Sequence, residues 1–179
     1  MAYETLTRRR FMQFTAGASG LCLGLPALSA QSDKRSLTLH NLHTGEALRS
    51  TYWTDGQVDL QEMAALSRLL RDHRTGDVHP IEIGVLDILW TLQQAVGNST
   101  AYEVISGYRS PKTNAKLKAV NRGVAKRSLH MLGRAIDVRL PGTKTSALKN
   151  AAISLRAGGV GYYRKSDFVH LDTGRFRTW

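Results

Sequence analysis

The stretch Ser128-Leu129-His130-Met131-Leu132-Gly133-Arg134-Ala135-Ile136-Asp137-Val138-Arg139-Leu140, closed by Pro141-Gly142, reads as a loop running into a short strand. Side chains alternate across a strand, so Ile136 and Val138 share one face while Ala135, Asp137 and Arg139 share the other. A carboxylate beside a small alanine is unusual on a solvated strand surface. Gly133 and Ala135 leave room for a close approach to the backbone. A second strand, Phe168-Val169-His170-Leu171-Asp172, has the same design, with His170 and Asp172 on one face and Val169 and Leu171 on the other. Two such strands can bury their aliphatic sides together and bring His and Asp groups to one cation. Nitrogen and oxygen donors at about 2.0–2.2 Å suit zinc, and three protein ligands plus a water form its catalytic arrangement. The plain alternative is that His130 caps a loop and Asp172 pairs with an arginine. Residue types alone do not choose between the two.

Working outward, Val160–Tyr163 pairs with the His170 strand across Arg164-Lys165-Ser166-Asp167, and a helix from Thr145 to Ala157 stops at Gly158-Gly159. Upstream, Tyr102–Ser106 reads as a strand. Ser110-Pro111 is a cap followed by a first-turn proline, which starts a helix that runs to Val120 and breaks at Asn121-Arg122-Gly123. Helical spacing runs from Asp59 to near Arg74-Thr75-Gly76, and again from Gly84 to Val96. Ser36–Leu42 and Leu48–Trp53 form a hairpin turning near Thr44-Gly45. There is no repeat or linker. The expectation is one α+β domain over residues 31–179, a small and mostly antiparallel sheet flanked by helices.

The 179 residues contain a single cysteine, which excludes a disulfide framework and any Cys-rich metal site. That cysteine, Cys22, lies in a segment with the three parts of an export signal: basic Arg8-Arg9-Arg10, an apolar Gly/Ala-rich run, and small residues ending near Ala30. The run from Phe11 to Leu25 is short for a membrane span of roughly 20 residues. Thr7, the paired arginines and Phe11 resemble a twin-arginine signal, which points to the twin-arginine translocase as partner and the periplasm as destination. Removing residues 1–30 takes away three arginines and Glu4, so the formal charge falls from +11 to +9. A basic domain attracts anionic partners. Nucleic acid is excluded by the export signal and by the lack of an aromatic-basic recognition motif.

Ser128-x-His130-x-x-Gly133-x-Ala135-x-Asp137 resembles the signature of the M15, VanX-like zinc peptidase superfamily. Gly107-Tyr108-Arg109-Ser110 is similar to its upstream segment, and Phe168-Val169-His170-x-Asp172 to its closing motif. Leu39–Glu46 and Arg156–Tyr163 further resemble the YcbK/MepK-like (DUF882) group, a similarity spanning essentially the whole exported chain. The resemblance implies a zinc-dependent murein endopeptidase acting on peptide cross-links of peptidoglycan, those made through meso-diaminopimelate in the group it resembles; the exported chain is separately expected to be a monomer without a membrane span. The resemblance makes His130, Asp137 and His170 the ligands of one zinc ion. Arg109 becomes the group that holds the substrate carbonyl or carboxylate, with Ser128 and Tyr108 on the substrate side. Other branches of the superfamily place the general base two or three residues before the last ligand, where this chain has Phe168 and Asp167. Asp172 is the preferred base because strand geometry sets its direction, with orientation of His170 as its other role. Asp167 is the alternative base. Two further readings stay open: a non-catalytic peptidoglycan-binding module that retains the metal, and a D,D/L,D-carboxypeptidase acting on stem peptides.

Among the remaining candidates, His40 and His43 read as turn or packing residues, and His73 and His79 as solvent-facing loop residues. Trp53, Trp90 and Trp179 read as packing residues. Tyr108, Tyr162 and Tyr163 are candidates for a cleft, since loops beside strands are where sites form.

Overall fold

A computed structural model describes residues 33–120 and 123–179; the export signal expected in residues 1–30 lies outside the described residues. In chain order the elements are β1 (Lys34–Asn41), β2 (Ala47–Thr54), β3 (Gln57–Val58), α1 (Leu60–Leu69), α2 (Ile83–Val96), β4 (Tyr102–Ser106) and α3 (Pro111–Val120). There follow β5 (Ala135–Arg139), α4 (Thr145–Leu155), β6 (Gly159–Tyr163), β7 (Phe168–Asp172) and β8 (Arg177–Thr178). All the strands join one sheet in the order β3-β2-β1-β4-β5-β7-β6-β8. Only the β1–β4 and β6–β8 pairs are parallel, so the sheet is mostly antiparallel as expected.

Period-two alternation decides which side of the sheet is dry. Leu37 and Leu39 of β1, Ile136 and Val138 of β5, and Val169 and Leu171 of β7 form one buried cluster with Val85, Leu86, Leu89 and Leu92 of α2 and Leu148 and Ala152 of α4. Asp137, His170 and Asp172 alternate with those residues and therefore emerge on the opposite face. Burying the aliphatic side thus fixes where the polar side points, because a slip of one residue would exchange the two faces.

Local chemistry sets the boundaries. Asp59 caps α1, its carboxylate accepting the N–H groups of Gln61 and Glu62 at 2.9 and 3.0 Å. The β1–β2 turn falls at the expected Gly45, which has a left-handed φ of 71°. Two helices end earlier than the sequence predicts. α1 stops at Leu69, because Asp72 turns its side chain back to accept the Arg74 N–H at 3.0 Å and a tight turn follows. α4 stops at Leu155, and Arg156, with φ 53°, makes the left-handed cap in place of the following glycines. The two-residue strands β3 and β8 carry no periodic pattern, and sequence reading misses both.

Trp53 and Trp90 pack against the core as expected, with the Arg35 guanidinium over both rings. His73 and His79 depart from the expectation. Both are half-buried, His73 stacked on His43 at 3.8 Å and His79 on Tyr108 at 4.8 Å. Each ring stacks across a neighbouring loop, which takes one of its faces out of water.

Candidate metal centre

Strand register builds the centre. Asp137 of β5 lies directly opposite His170 of β7, and Ala135 opposite Asp172, so both pairs share the polar face. His130 arrives from a short 3-10 turn, Leu129–Leu132, which Gly133 ends with φ 65°. No other residue fits at Gly133: a Cβ there would lie 2.1 Å from the Pro80 carbonyl oxygen. The close approach anticipated at this glycine is therefore made by the protein's own backbone.

His130, Asp137 and His170 are all buried, and one ligand atom of each lies within 4.8 Å of the others. His170 Nδ1 stands 2.8 Å from Asp137 Oδ1 and 3.2 Å from His130 Nε2, and His130 Nε2 stands 3.3 Å from Asp137 Oδ1. Donors at the corners of a tetrahedron with bonds of 2.0–2.1 Å are about 3.3 Å apart, so the spacing fits a zinc-sized ion.

The outer nitrogens determine what the inner ones carry. His130 Nδ1 is 2.7 Å from the Gly107 carbonyl oxygen, which can only accept, so the hydrogen of a neutral ring sits on Nδ1. His170 Nε2 likewise faces Asp172 Oδ2 at 2.9 Å. With both outer nitrogens donating and both rings neutral, His130 Nε2, His170 Nδ1 and Asp137 Oδ1 would each turn a lone pair toward one point. Three converging lone pairs repel unless positive charge lies between them. Burial works against an imidazolium here, but the hydrogen bonds to Asp137 and Asp172 outweigh it and push the His170 pKa up to about 9. Burial likewise opposes the Asp137 charge, and the His130 and His170 rings overcome it, holding the carboxyl well below the usual range. A cation at this point would take the place of the proton.

Asp172 sits on the outer edge of His170, away from the converging atoms. Its Oδ1 accepts from Gly159 N–H, Gly174 N–H and Arg177 Nη1 at 3.1, 2.8 and 3.0 Å, and its Oδ2 from Arg177 Nη2 at 2.7 Å. Burial raises its pKa, but these partners and His170 lower it further, leaving the carboxyl well below its ordinary value. Both sequence alternatives for Asp172, beside His170 and paired with an arginine, thus describe the same side chain.

The centre opens into a cleft of about 640 Å³ whose lining includes Arg109, Arg127, Ser128, Tyr163, Phe168 and Trp179. Arg109 is held by its backbone, whose N–H donates to His130 O at 3.1 Å, and its Nη2 lies 3.7 Å from Asp137 Oδ2. Ser128 lines the cleft and makes no side-chain cap bond to the turn that follows it. Two expected residues stand elsewhere. Tyr108 does not line the cleft, since its ring stacks on His79. Asp167 is exposed, accepts the Thr145 hydroxyl at 2.8 Å and lies outside the cleft lining. Of the tyrosines, Tyr163 lines the cleft, whereas Tyr162 packs against the core beneath Lys149.

Sequence reasoning missed Asp72 and Arg177. Asp72 is 1% exposed, and its carboxylate accepts the Ser110 N–H at 2.9 Å, tying the Gly107–Ser110 segment to the turn after α1. An acidic residue inside Leu70-Arg71-Asp72-His73-Arg74 was the available signal.

An α+β sheet with two imidazoles and a carboxylate converging beneath an open cleft defines a metal-site protein of the hydrolytic type. Residues 29–179 match the family Peptidase_M15_2, described as "Peptidoglycan L,D-endopeptidase MepK". The chain belongs to this peptidase family. It is 43% identical over 176 residues to "Peptidoglycan L,D-endopeptidase MepK" of Escherichia coli (strain K12), covering 96% of each chain. It is also 38% identical over 184 residues to "Probable peptidoglycan L,D-endopeptidase MepK" of Haemophilus influenzae, covering all of this chain and 98% of the relative.

Proposed function

We propose that this chain is a zinc-dependent murein endopeptidase that hydrolyses peptide cross-links of peptidoglycan, and that the bond it cuts is of the L,D type named for its relatives. One observation carries the reading: three ligand atoms, His130 Nε2, Asp137 Oδ1 and His170 Nδ1, meet at zinc-ligand spacing at the base of a cleft. Zinc bound by them would supply Lewis acidity toward a carbonyl and a water acidic enough to attack at neutral pH.

The chain's own residues do the rest. Gly107 O and Asp172 fix the tautomer and tilt of the two imidazoles, and such support typically changes metal affinity by about 10–100-fold. Asp172 is thereby a positioning residue. Its two oxygens are engaged by His170, Arg177 and two backbone N–H groups, so it is not free to act as the base. Asp167 faces Thr145 and lies outside the cleft lining, which speaks against a part in proton transfer. Arg109 is a cation of the cleft beside Asp137. It is placed to hold the scissile carbonyl or a neighbouring carboxylate and to offset charge as it develops there, a contribution of a few kcal/mol for one well-aimed donor. Ser128 offers a hydroxyl on the same side. Stem peptides carry free carboxylates, which a basic chain attracts.

Action in the periplasm follows from the substrate and from the export signal read in residues 1–30, with the twin-arginine translocase as carrier. Among the described residues no helix is long and apolar enough to cross a membrane. All three ligands come from one chain, so a monomer suffices.

The test is to incubate the protein with defined cross-linked muropeptides and identify the products by mass. Release of the two uncross-linked stems, lost on chelation and restored by zinc, is the expected result. Release of a terminal amino acid alone would make it a carboxypeptidase, and binding without any cleavage a recognition module.

A further inference from the structure

The cleft has a wall that the chemistry above does not use. Trp179 lies beside His170, the ring centroids 5.2 Å apart and the planes inclined at 49°. Its backbone is stitched to β6: the Trp179 N–H donates to Val160 O at 3.3 Å, and the Tyr162 N–H donates to Trp179 O at 3.0 Å. The indole N–H donates to the Tyr163 hydroxyl at 3.1 Å, and the Arg177 guanidinium packs over the ring at 4.9 Å. The indole also crosses Gly161, the residue paired with His170 on β6, where a Cβ would come within 2.6 Å of the ring.

An indole this closely held usually belongs to a core, yet Trp179 is 51% exposed. Its open side lines the cleft together with Tyr163 and Phe168, whose rings stack at 4.5 Å. A rigid aromatic left facing a cleft beside the reacting centre costs exposed apolar area and gains it back when a ligand covers it. The cleft also contains cations, Arg109 and the exposed Arg127, which suit a carboxylate. A ligand that satisfies both has an aliphatic stem and a free carboxylate close together.

We propose that Trp179 is the specificity-determining wall of the cleft, packing against the methylene stem of the residue at the scissile bond while the arginines take that residue's free carboxylate. The ligand is the meso-diaminopimelate cross-link that the family resemblance already implies; the part of the ring in holding it is the new element. This inference rests on the endopeptidase reading and deepens it.

The test compares Trp179→Ala and Trp179→Phe with the wild-type chain on one purified cross-linked muropeptide. Trp179→Ala should raise KM about tenfold, the loss of one well-packed aromatic contact, with kcat within about twofold and bound zinc unchanged. Trp179→Phe should recover most of the loss. Titration with the cleaved muropeptide should quench indole fluorescence in the wild type and not in Trp179→Phe, a readout independent of turnover. Should Trp179→Ala fail to fold, Trp179→Leu and the fluorescence titration decide the matter. Unchanged KM in Trp179→Ala, or quenching that persists in Trp179→Phe, overturns the proposal. So does a parallel loss of zinc and kcat at constant KM, because the ring would then merely support His170. Failure of the endopeptidase reading is seen separately, as wild-type protein that cleaves no muropeptide.

Discussion

His130 and His170 turn their inner nitrogens to the same point, but they are held there by different means. His170 stands on a strand, and its partner Asp172 is a charged group two residues along the same strand, backed by Arg177. His130 stands on a short 3-10 turn, and its partner is the neutral carbonyl of Gly107, twenty-three residues away. One imidazole is thus oriented by local charge and the other by tertiary packing of loops. The difference teaches where the centre is sensitive: on the β7 side to single side chains, on the His130 side to whatever positions the Gly107–Ser110 segment.

The largest effect should follow removal of either ring. His130→Ala and His170→Ala are each expected to abolish bound zinc and, with it, hydrolysis of cross-linked muropeptides, as measured by metal analysis and product mass. Zinc retained in only one of the two variants would break the comparison at its root.

Next comes Asp172→Asn, which keeps a hydrogen-bond acceptor but removes the charge that faces His170 and Arg177. A weakening of zinc affinity by about 10–100-fold is expected in a chelator competition, with activity restored at saturating zinc. Activity that stays lost at full zinc occupancy would return Asp172 to the role of base.

The His130 side has its counterpart in Asp72→Asn. Asp72 holds Ser110, and burial of its charge is outweighed by hydrogen bonds from Ser110, Thr113 and the backbone, which keep its carboxyl well below the ordinary range. A carboxyl depressed in the folded state stabilises above its unfolded pKa of about 3.9, and that contribution is lost as the pH falls through and below this value. The variant should be less stable by about 1–3 kcal/mol at neutral pH. The gap in Tm between the two proteins should close as the pH drops below about 4. A gap independent of pH would contradict this account of Asp72.

The smallest effect is expected for Asp167→Asn. An exposed side chain outside the cleft should change stability by less than about 0.5 kcal/mol and leave turnover near the wild-type rate. A loss of turnover with zinc intact would make Asp167 the base.

The same asymmetry governs what could be read from sequence alone. Period two placed Asp137, His170 and Asp172 on the polar faces of their strands without knowledge of the fold. It could not supply the register that sets Asp137 against His170, because their pairing spans thirty-three residues and depends on strand order. The Asp172–His170 contact was within reach, being local. The Gly107–His130 contact was not, since any backbone carbonyl could have served. Trp179 read as a packing residue because two-residue β8 has no periodicity to announce a strand that carries it to the cleft. Tyr108 lay next to Arg109 in the motif, yet its ring went to His79 rather than to the cleft. The helix ends at Leu69 and Leu155 were set by Asp72 and by the left-handed Arg156, which propensity does not anticipate.

The most direct test of the centre is a zinc-edge X-ray absorption spectrum of the purified protein. Two imidazole nitrogens and one carboxylate oxygen at about 2.0–2.1 Å, with one further light-atom ligand, are expected from the converging ligand atoms of His130, His170 and Asp137. A fully active protein that contains no bound metal, or a spectrum that keeps both imidazoles in His170→Ala, would contradict it.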